Sequence, residues 1–188
     1  MVAAEGTYEG KWSNNKAHGF GAYTNAKGTR YEGGWKDDLM HGNGVETWND
    51  GAKFEGTYNQ GDKEGKGKYT FANGTTYYGD WKENKISGFG KQVWANGNTY
   101  FGEWESNNCN GYGIFIYADS REFKGQYEND KKHGFGSYEW KDGRKYEGWW
   151  EKGKQHGYGT YTEKDGNVKY GIWDEGKLKK WFKDQEER

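Results

Sequence analysis

The chain has 188 residues, with 28 Lys and Arg against 29 Asp and Glu and a formal net charge of −1. That balance excludes the excess of positive charge on which binding to a nucleic-acid backbone depends. Apolar residues make up only 31% while 19% are aromatic and 33 are glycine, too few aliphatic side chains for a dense two-layer core and too many rings for a disordered chain.

Residues 1–7 (MVAAEGT) read as a lead-in without the basic and apolar regions of a signal peptide. No apolar run is long enough for a transmembrane helix. With Cys109 as the single cysteine no intrachain disulfide can form, and a cytoplasmic location is expected.

From Tyr8 a unit of 23 residues recurs without slippage, starting at Tyr8, Tyr31, Phe54, Tyr77, Tyr100, Phe123 and Tyr146, with a partial eighth unit from Lys169. Such self-similarity governs every later reading. Numbered within one unit, position 1 is aromatic, positions 3, 12 and 14 are glycine, and position 5 is Trp or Tyr. Position 8 is always Asn, Asp or Gly, residues that tolerate positive φ. Positions 20 and 21 read Asp-Gly or Asn-Gly, except Lys27-Gly28 and Asp119-Ser120. These are hairpin signals, so each unit is expected to be two strands, roughly positions 1–6 and 12–18. Strand alternation puts the rings at positions 1 and 5 on one face with the position 3 glycine, and glycines leave sockets for neighbouring rings. A two-residue turn at positions 7 and 8 pairs position 5 with position 10 and, for an unbroken ladder, position 3 with position 12. Because the period is odd, two such turns per unit would flip alternate units; the connection at positions 19–21 is therefore expected to be odd in length or bulged.

At the C-terminal end the pattern changes. In GKLKKWFKDQEER, residues 176–188, the spacing of Leu178, Trp181 and Phe182 predicts a short helix covering the last strand edge.

The YEGxWxxxxxHGxG units, with DG or NG between them, resemble MORN (membrane occupation and recognition nexus) repeats from Tyr8 to Val168, running into Trp173. The departures are Glu64, Ser87 and Asn110 where His usually stands at position 11, Ser120 in place of a turn glycine, and an eighth unit that stops after Trp173. The resemblance implies an all-β fold, an elongated, twisted, single-layer antiparallel sheet of hairpins with an aromatic-lined groove. It also implies a scaffold of cilia, cytoskeletal structures or membrane junctions. Such proteins bind a partner helix or extended peptide, and some form homodimers through terminal repeats. Binding of phosphoinositide or phosphatidic acid has been proposed for the family.

No catalytic constellation is expected. His18, His41, His133 and His156 all occupy position 11. Equivalent positions lie two strands apart, about 9.5 Å, too far for neighbouring repeats to share a zinc ion. Cys109 reads as a turn residue with no histidine in its own unit to activate it. Glu9, Glu32, Glu55 and Glu147 at position 2 read as a solvated stripe, and the glycines of positions 12 and 14 precede no helix that would make them a phosphate loop. No cofactor or metal is expected.

Positions 16 and 18 carry the variable rings. Trp48, Phe71, Trp94, Phe115, Tyr117, Tyr138 and Trp140 are the candidate partner contacts, since exposed aromatic residues commonly dominate binding energy. The alternative is an anionic phospholipid held by a basic end formed by Lys131, Lys132, Lys152, Lys154, Lys179 and Lys180, at about 1 kcal/mol per residue. Asp130, Glu151 and Glu175 dilute that end.

Overall fold

The computed structural model describes residues 6–183. The chain divides into two compact units, Met1–Ala95 and Asn96–Arg188. In the first, β1 (Gly6–Ser13), β2 (Lys16–Asn25), β3 (Arg30–Lys36), β4 (Leu39–Thr47), β5 (Lys53–Asn59), β6 (Asp62–Thr70), β7 (Thr76–Lys82) and β8 (Lys85–Val93) pair in chain order. Every pairing is antiparallel. The second repeats the arrangement with β9 (Thr99–Glu105), β10 (Asn108–Ile116), β11 (Glu122–Glu128), β12 (Lys131–Glu139), β13 (Lys145–Glu151), β14 (Lys154–Thr162), β15 (Val168–Asp174) and β16 (Lys177–Phe182). Among the described residues there is no helix and no second layer.

The two turns of each repeat differ, as the odd period requires. At positions 7 and 8 both residues have positive φ, for example 50° and 71° at Asp37 and Asp38, 47° and 65° at Asn129 and Asp130. That is the two-residue turn whose twist matches the flanking strands. The second connection is a three-residue loop. The Asn25 N–H donates to the Thr29 carbonyl and the Gly28 N–H to the Asn25 carbonyl, and the pattern recurs at Trp48, Phe71, Tyr117, Trp140 and Glu163. The Asx residue at position 20 accepts from the amide two residues on, as in Asp50 to Ala52 and Asn73 to Thr75. Where the first repeat has Lys27 instead, Asn25 Oδ1 accepts from the Lys27 and Thr29 amides.

The expected pairing of position 3 with position 12 is overturned. Position 3 pairs with position 14, as in Gly33 with Gly44 and Gly148 with Gly159, while position 5 still faces position 10. The register shift between them falls where the position 12 glycine takes positive φ, 75° at Gly42 and 65° at Gly157. Position 12 is thus a bulge residue, and the socket is built by positions 3 and 14. A Cβ on Gly33 would lie 2.5 Å from the Gly44 Cα, and one on Gly44 would lie 2.4 Å from the Tyr31 ring. The position 1 ring lies across this glycine pair, and its hydroxyl donates to the position 4 carbonyl, Tyr31 to Gly34 at 2.9 Å and Tyr146 to Trp149 at 3.0 Å.

Position 5 completes the core. Trp35, Tyr58, Trp81, Tyr127 and Trp150 each stand edge-on to the position 1 ring of their own repeat and of the one before. In the first unit Trp35 meets Tyr31 and Tyr8 at centroid distances of 5.2 Å each. In the second, Trp150 meets Tyr146 at 5.4 Å and Phe123 at 5.1 Å. The indole N–H donates to the position 14 carbonyl of the preceding repeat, Trp35 to Gly21, Trp81 to Gly67 and Trp150 to Gly136. Phe54 and Tyr77 in the first unit, and Tyr100, Phe123 and Tyr146 in the second, are fully buried although each unit has no second layer.

The predicted C-terminal helix is not formed over Lys177–Phe182, which is β16. Glu175 and Gly176 take φ of 52° and 79°, closing the same tight turn as in the other repeats, and β15 and β16 complete an eighth hairpin. The helix-like spacing instead serves a strand. Leu178 faces Trp173, and Trp181 stands edge-on to the same indole at 5.6 Å. Residues 184–188 of that expectation lie outside the described residues, as do residues 1–5 of the lead-in.

The sockets are testable by substitution. Gly44→Ala is expected to lower the urea midpoint by the equivalent of about 2 kcal/mol or more, since backbone and ring must both move. Gly51→Ala, with nothing within 4 Å of its Cβ and only a positive φ to oppose it, is expected to cost about 1 kcal/mol. Equal costs would refute the socket. Ser120, at φ 74°, fills a turn place otherwise glycine, so Ser120→Gly is expected to stabilise by about 0.5–1 kcal/mol in the same assay.

Candidate functional site

Positions 16 and 18 share the ring-bearing face, because position 16 pairs with position 1 on both sides. In the first unit Trp48 lies 5.5 Å from Tyr69, and Phe71 packs on Tyr69 at 4.5 Å. Trp94 is half-buried at the end of that unit. In the second unit the row is continuous: Phe115 to Tyr117 at 4.6 Å, Tyr117 to Tyr138 at 6.0 Å, Tyr138 to Trp140 at 4.8 Å, and Trp140 to Tyr161 at 5.9 Å. Tyr138 is buried; Phe115, Tyr117 and Trp140 are half-buried. The structure therefore brings the four C-terminal candidates together in one row, and Trp48 and Phe71 into a separate group around Tyr69.

Beside that row a cavity of about 330 Å³ is lined by Lys132, Tyr138, Trp140, Trp150, Lys154 and Gln155. The first unit has a cavity of about 260 Å³ lined by Tyr23, Tyr31, Trp35, Met40 and Glu46.

The six candidate lysines do not form one basic surface. Lys131 and Lys152 are exposed, Lys152 with Glu151 at 3.6 Å. Lys154 pairs with Glu175 at 2.5 Å and Lys179 with Asp174 at 3.3 Å, while Lys180 lies over the Phe182 ring. Lys132 is turned inward: its Nζ lies 4.5 to 5.5 Å from the ring centroids of Tyr138, Phe123, Trp150 and Tyr117 and donates to the Tyr117 hydroxyl at 3.0 Å. Desolvation, with a lesser contribution from Arg121, pulls its pKa down to about 8.

The histidines stay apart. His18 lies 3.7 Å from Asp37, His133 3.7 Å from Glu128, and His156 between Glu151 and Asp174. His41 accepts weakly from the Gln60 amide. Among the described residues no three metal-ligating side chains converge. Glu32, Glu55 and Glu147 pair locally with Arg30, Lys53 and Lys145. Cys109 is not in a turn but in β10, buried and facing Trp104. Burial, then the Asp130 charge, pushes its thiol up to about 12.

One feature escaped the sequence reasoning. Position 13 points to the opposite face, where Phe20, Phe89, Tyr112, Phe135 and Tyr158 are exposed. Tyr78, Phe101 and Trp149 are exposed on the same side. The signal was present, since five of the seven position 13 residues are aromatic.

The MORN repeat profile matches residues 8–30, 31–53, 54–76, 77–99, 100–120, 123–143 and 146–168. The chain belongs to the MORN repeat family. The profile ends at Val168, whereas the hairpin geometry of the MORN array continues through β16. A comparison with curated proteins gives no match. Among solved structures the chain is similar in fold to the SAS-4 (dCPAP) TCP domain of Drosophila melanogaster in complex with a proline-rich motif of Ana2 (dSTIL). That likeness has 13% identity and a TM-score of 0.51, and it covers 88% of this chain and 95% of that one. A second structure, the TCP10c domain of Drosophila melanogaster Sas-4, matches at 15% identity and a TM-score of 0.47, covering 83% of this chain and 93% of that one.

Two solution properties are expected of these MORN side chains. Cys109 in the folded chain should react with iodoacetamide at pH 8 at least 100-fold more slowly than after denaturation, since only the thiolate attacks; equal rates would show an open thiol. Lys132 titrates lower in the folded than in the unfolded chain, so the unfolded state binds more protons between about pH 8 and 10.4 and stability rises with pH across that window. The stability of Lys132→Met relative to the parent should therefore be higher at pH 7 than at pH 10.5, by up to about 3 kcal/mol, in paired urea melts.

Proposed function

We propose that this MORN array is a non-enzymatic scaffold that holds an extended protein segment along the ring row of its second unit, in a cytoplasmic, cytoskeletal or ciliary assembly. The observation that carries the reading is the unbroken series Phe115–Tyr117–Tyr138–Trp140–Tyr161, half-buried by its own members except for the buried Tyr138 and backed by a cavity. Rings held rigidly by their neighbours lose little entropy when a partner covers them.

The repeat spacing favours a class of occupant. Equivalent rings of successive repeats are two strands, about 9.5 Å, apart. A polyproline II segment advances about 9.3 Å per three-residue turn, so every third residue can meet an equivalent ring pair. An α-helix covers the same distance in about 6.3 residues, between its natural repeats. The similarly folded Drosophila domain, seen with a proline-rich motif, is in keeping with this choice.

Tyr117→Ala with Trp140→Ala is expected to weaken binding of a Pro-Pro-x repeat peptide by at least about 100-fold in fluorescence anisotropy while leaving the β-sheet circular dichroism intact. Phe135→Ser with Trp149→Ser, on the opposite face, is the control. Loss of binding with the second pair and not the first would reverse the assignment of the face.

A further inference from the structure

The third and sixth repeats share three residues that no other full repeat carries: Phe at position 1 (Phe54, Phe123), Tyr at position 5 (Tyr58, Tyr127) and Lys at position 10 (Lys63, Lys132). The three belong together physically. Tyr is smaller than Trp and faces the lysine across the hairpin, Tyr58 opposite Lys63 and Tyr127 opposite Lys132. The space it leaves lets each ammonium lie over the phenyl ring of position 1, at 5.1 Å from Phe54 and 4.9 Å from Phe123. Cations over ring faces are favoured in this way, but rings alone do not replace the water each ammonium gives up.

The two sites differ in one respect. In the third repeat Glu46, at position 16 of the preceding repeat, accepts from Lys63 Nζ at 3.0 Å and from the Tyr58 hydroxyl at 3.0 Å. In the sixth repeat the residue at the place of Glu46 is Phe115. No carboxylate among the described residues pairs with Lys132, whose ammonium donates to the Tyr117 hydroxyl. A second cation stands close by: the Arg121 guanidinium lies 4.5 Å from the Tyr117 ring centroid and donates to the Tyr138 hydroxyl at 3.1 Å. Asp119 engages the Arg121 Nε, and Glu175 engages Lys154 at the far wall of the cavity. The depressed pKa of Lys132 agrees with an ammonium lacking a counter-charge.

We infer that the Lys132 socket, between Tyr117, Tyr138, Trp140 and Trp150, binds a carboxylate side chain of the docked segment, so that an incoming glutamate or aspartate takes at Lys132 the place Glu46 takes at Lys63. This rests on the peptide reading above and adds to it a charge requirement: the segment carries an acid among its prolines. The ammonium, already stripped of water and held by rings, forms a charge-assisted bond with little reorganisation.

The full chain is titrated with a Pro-Pro-Glu repeat peptide and its Pro-Pro-Gln counterpart, and separately with sodium acetate against chloride at matched ionic strength. The pKa of Lys132 is followed by lysine Cε NMR. The glutamate peptide is expected to bind at least about ten-fold tighter than the glutamine one and to raise the Lys132 pKa toward the ordinary lysine range. Acetate is expected to raise it in the same direction. Lys132→Met, which places there the residue type the second repeat has at Met40, is expected to abolish the preference for glutamate. Phe115→Glu, which restores an internal acid, is expected to do the same even if the methionine variant folds poorly. Equal affinities of the two peptides, with an unmoved Lys132 pKa, would overturn the carboxylate socket and leave the peptide row standing. Failure of both peptides to bind, with acetate still raising the pKa, would overturn the peptide row and keep the socket. No response of Lys132 to any of the three would overturn the socket.

Discussion

Everything in this structure depends on one contact: an aromatic ring laid flat across two glycines that face each other on adjacent strands. A single sheet has no second layer to bury its rings, so the rings must be buried by the sheet itself. That is feasible only where the backbone beneath has no Cβ. Position 1 rings use the space over positions 3 and 14, and the position 5 rings then close over them from both sides. The polar atoms are accounted for within the same arrangement, because tyrosine hydroxyls and indole N–H groups donate to carbonyls left beside the bulge. Buried rings and satisfied donors thus come from one local geometry, repeated.

The turns serve that contact. The tight turn at positions 7 and 8 sets the register that places position 5 opposite position 10. The side chain or amide of position 8 also reaches the preceding repeat: Asp38 accepts from the Ala17 amide, and Asp130 from the Cys109 amide. Stacking of one hairpin on the next is therefore held at the turns as well as in the sheet. The three-residue loop at the other end restores the face of each repeat, so that within each unit the position 1 and position 5 rings fall on the same side.

The ring-bearing face of each unit is built from the same elements in every repeat. Its chemistry is spread along a row, with local variation at positions 10, 16 and 18 distinguishing one repeat from another. The Lys63–Glu46 pair and the Lys132 site show what such variation can do. The same three substitutions create a desolvated ammonium twice, once neutralised from within and once left to the rings. Specificity in a repeat scaffold can arise in this manner without any change to the fold.

The hairpins, both kinds of turn and the position 1 and 5 core were legible from the sequence, because a strict period repeats each local signal until chance is excluded. The odd loop was deducible from parity alone. The bulge at position 12 was not, since glycine marks a socket and a left-handed backbone with the same letter; only the folded backbone shows that Gly42 takes a φ of 75° with open space beside it while Gly44 lies under the Tyr31 ring. Lys177–Phe182 misled because Leu178, Trp181 and Phe182 satisfy helical spacing as readily as a strand, and the hydrogen bonds to β15 decide between them. The exposed row at position 13 was visible, and strand alternation alone puts it opposite the even positions 14, 16 and 18; the two-residue register shift at the bulge leaves that parity unchanged. Lys132 looked like one more basic residue of a rim; its inward course follows from the smaller Tyr127 across the hairpin, a relation that exists only once the strands are paired.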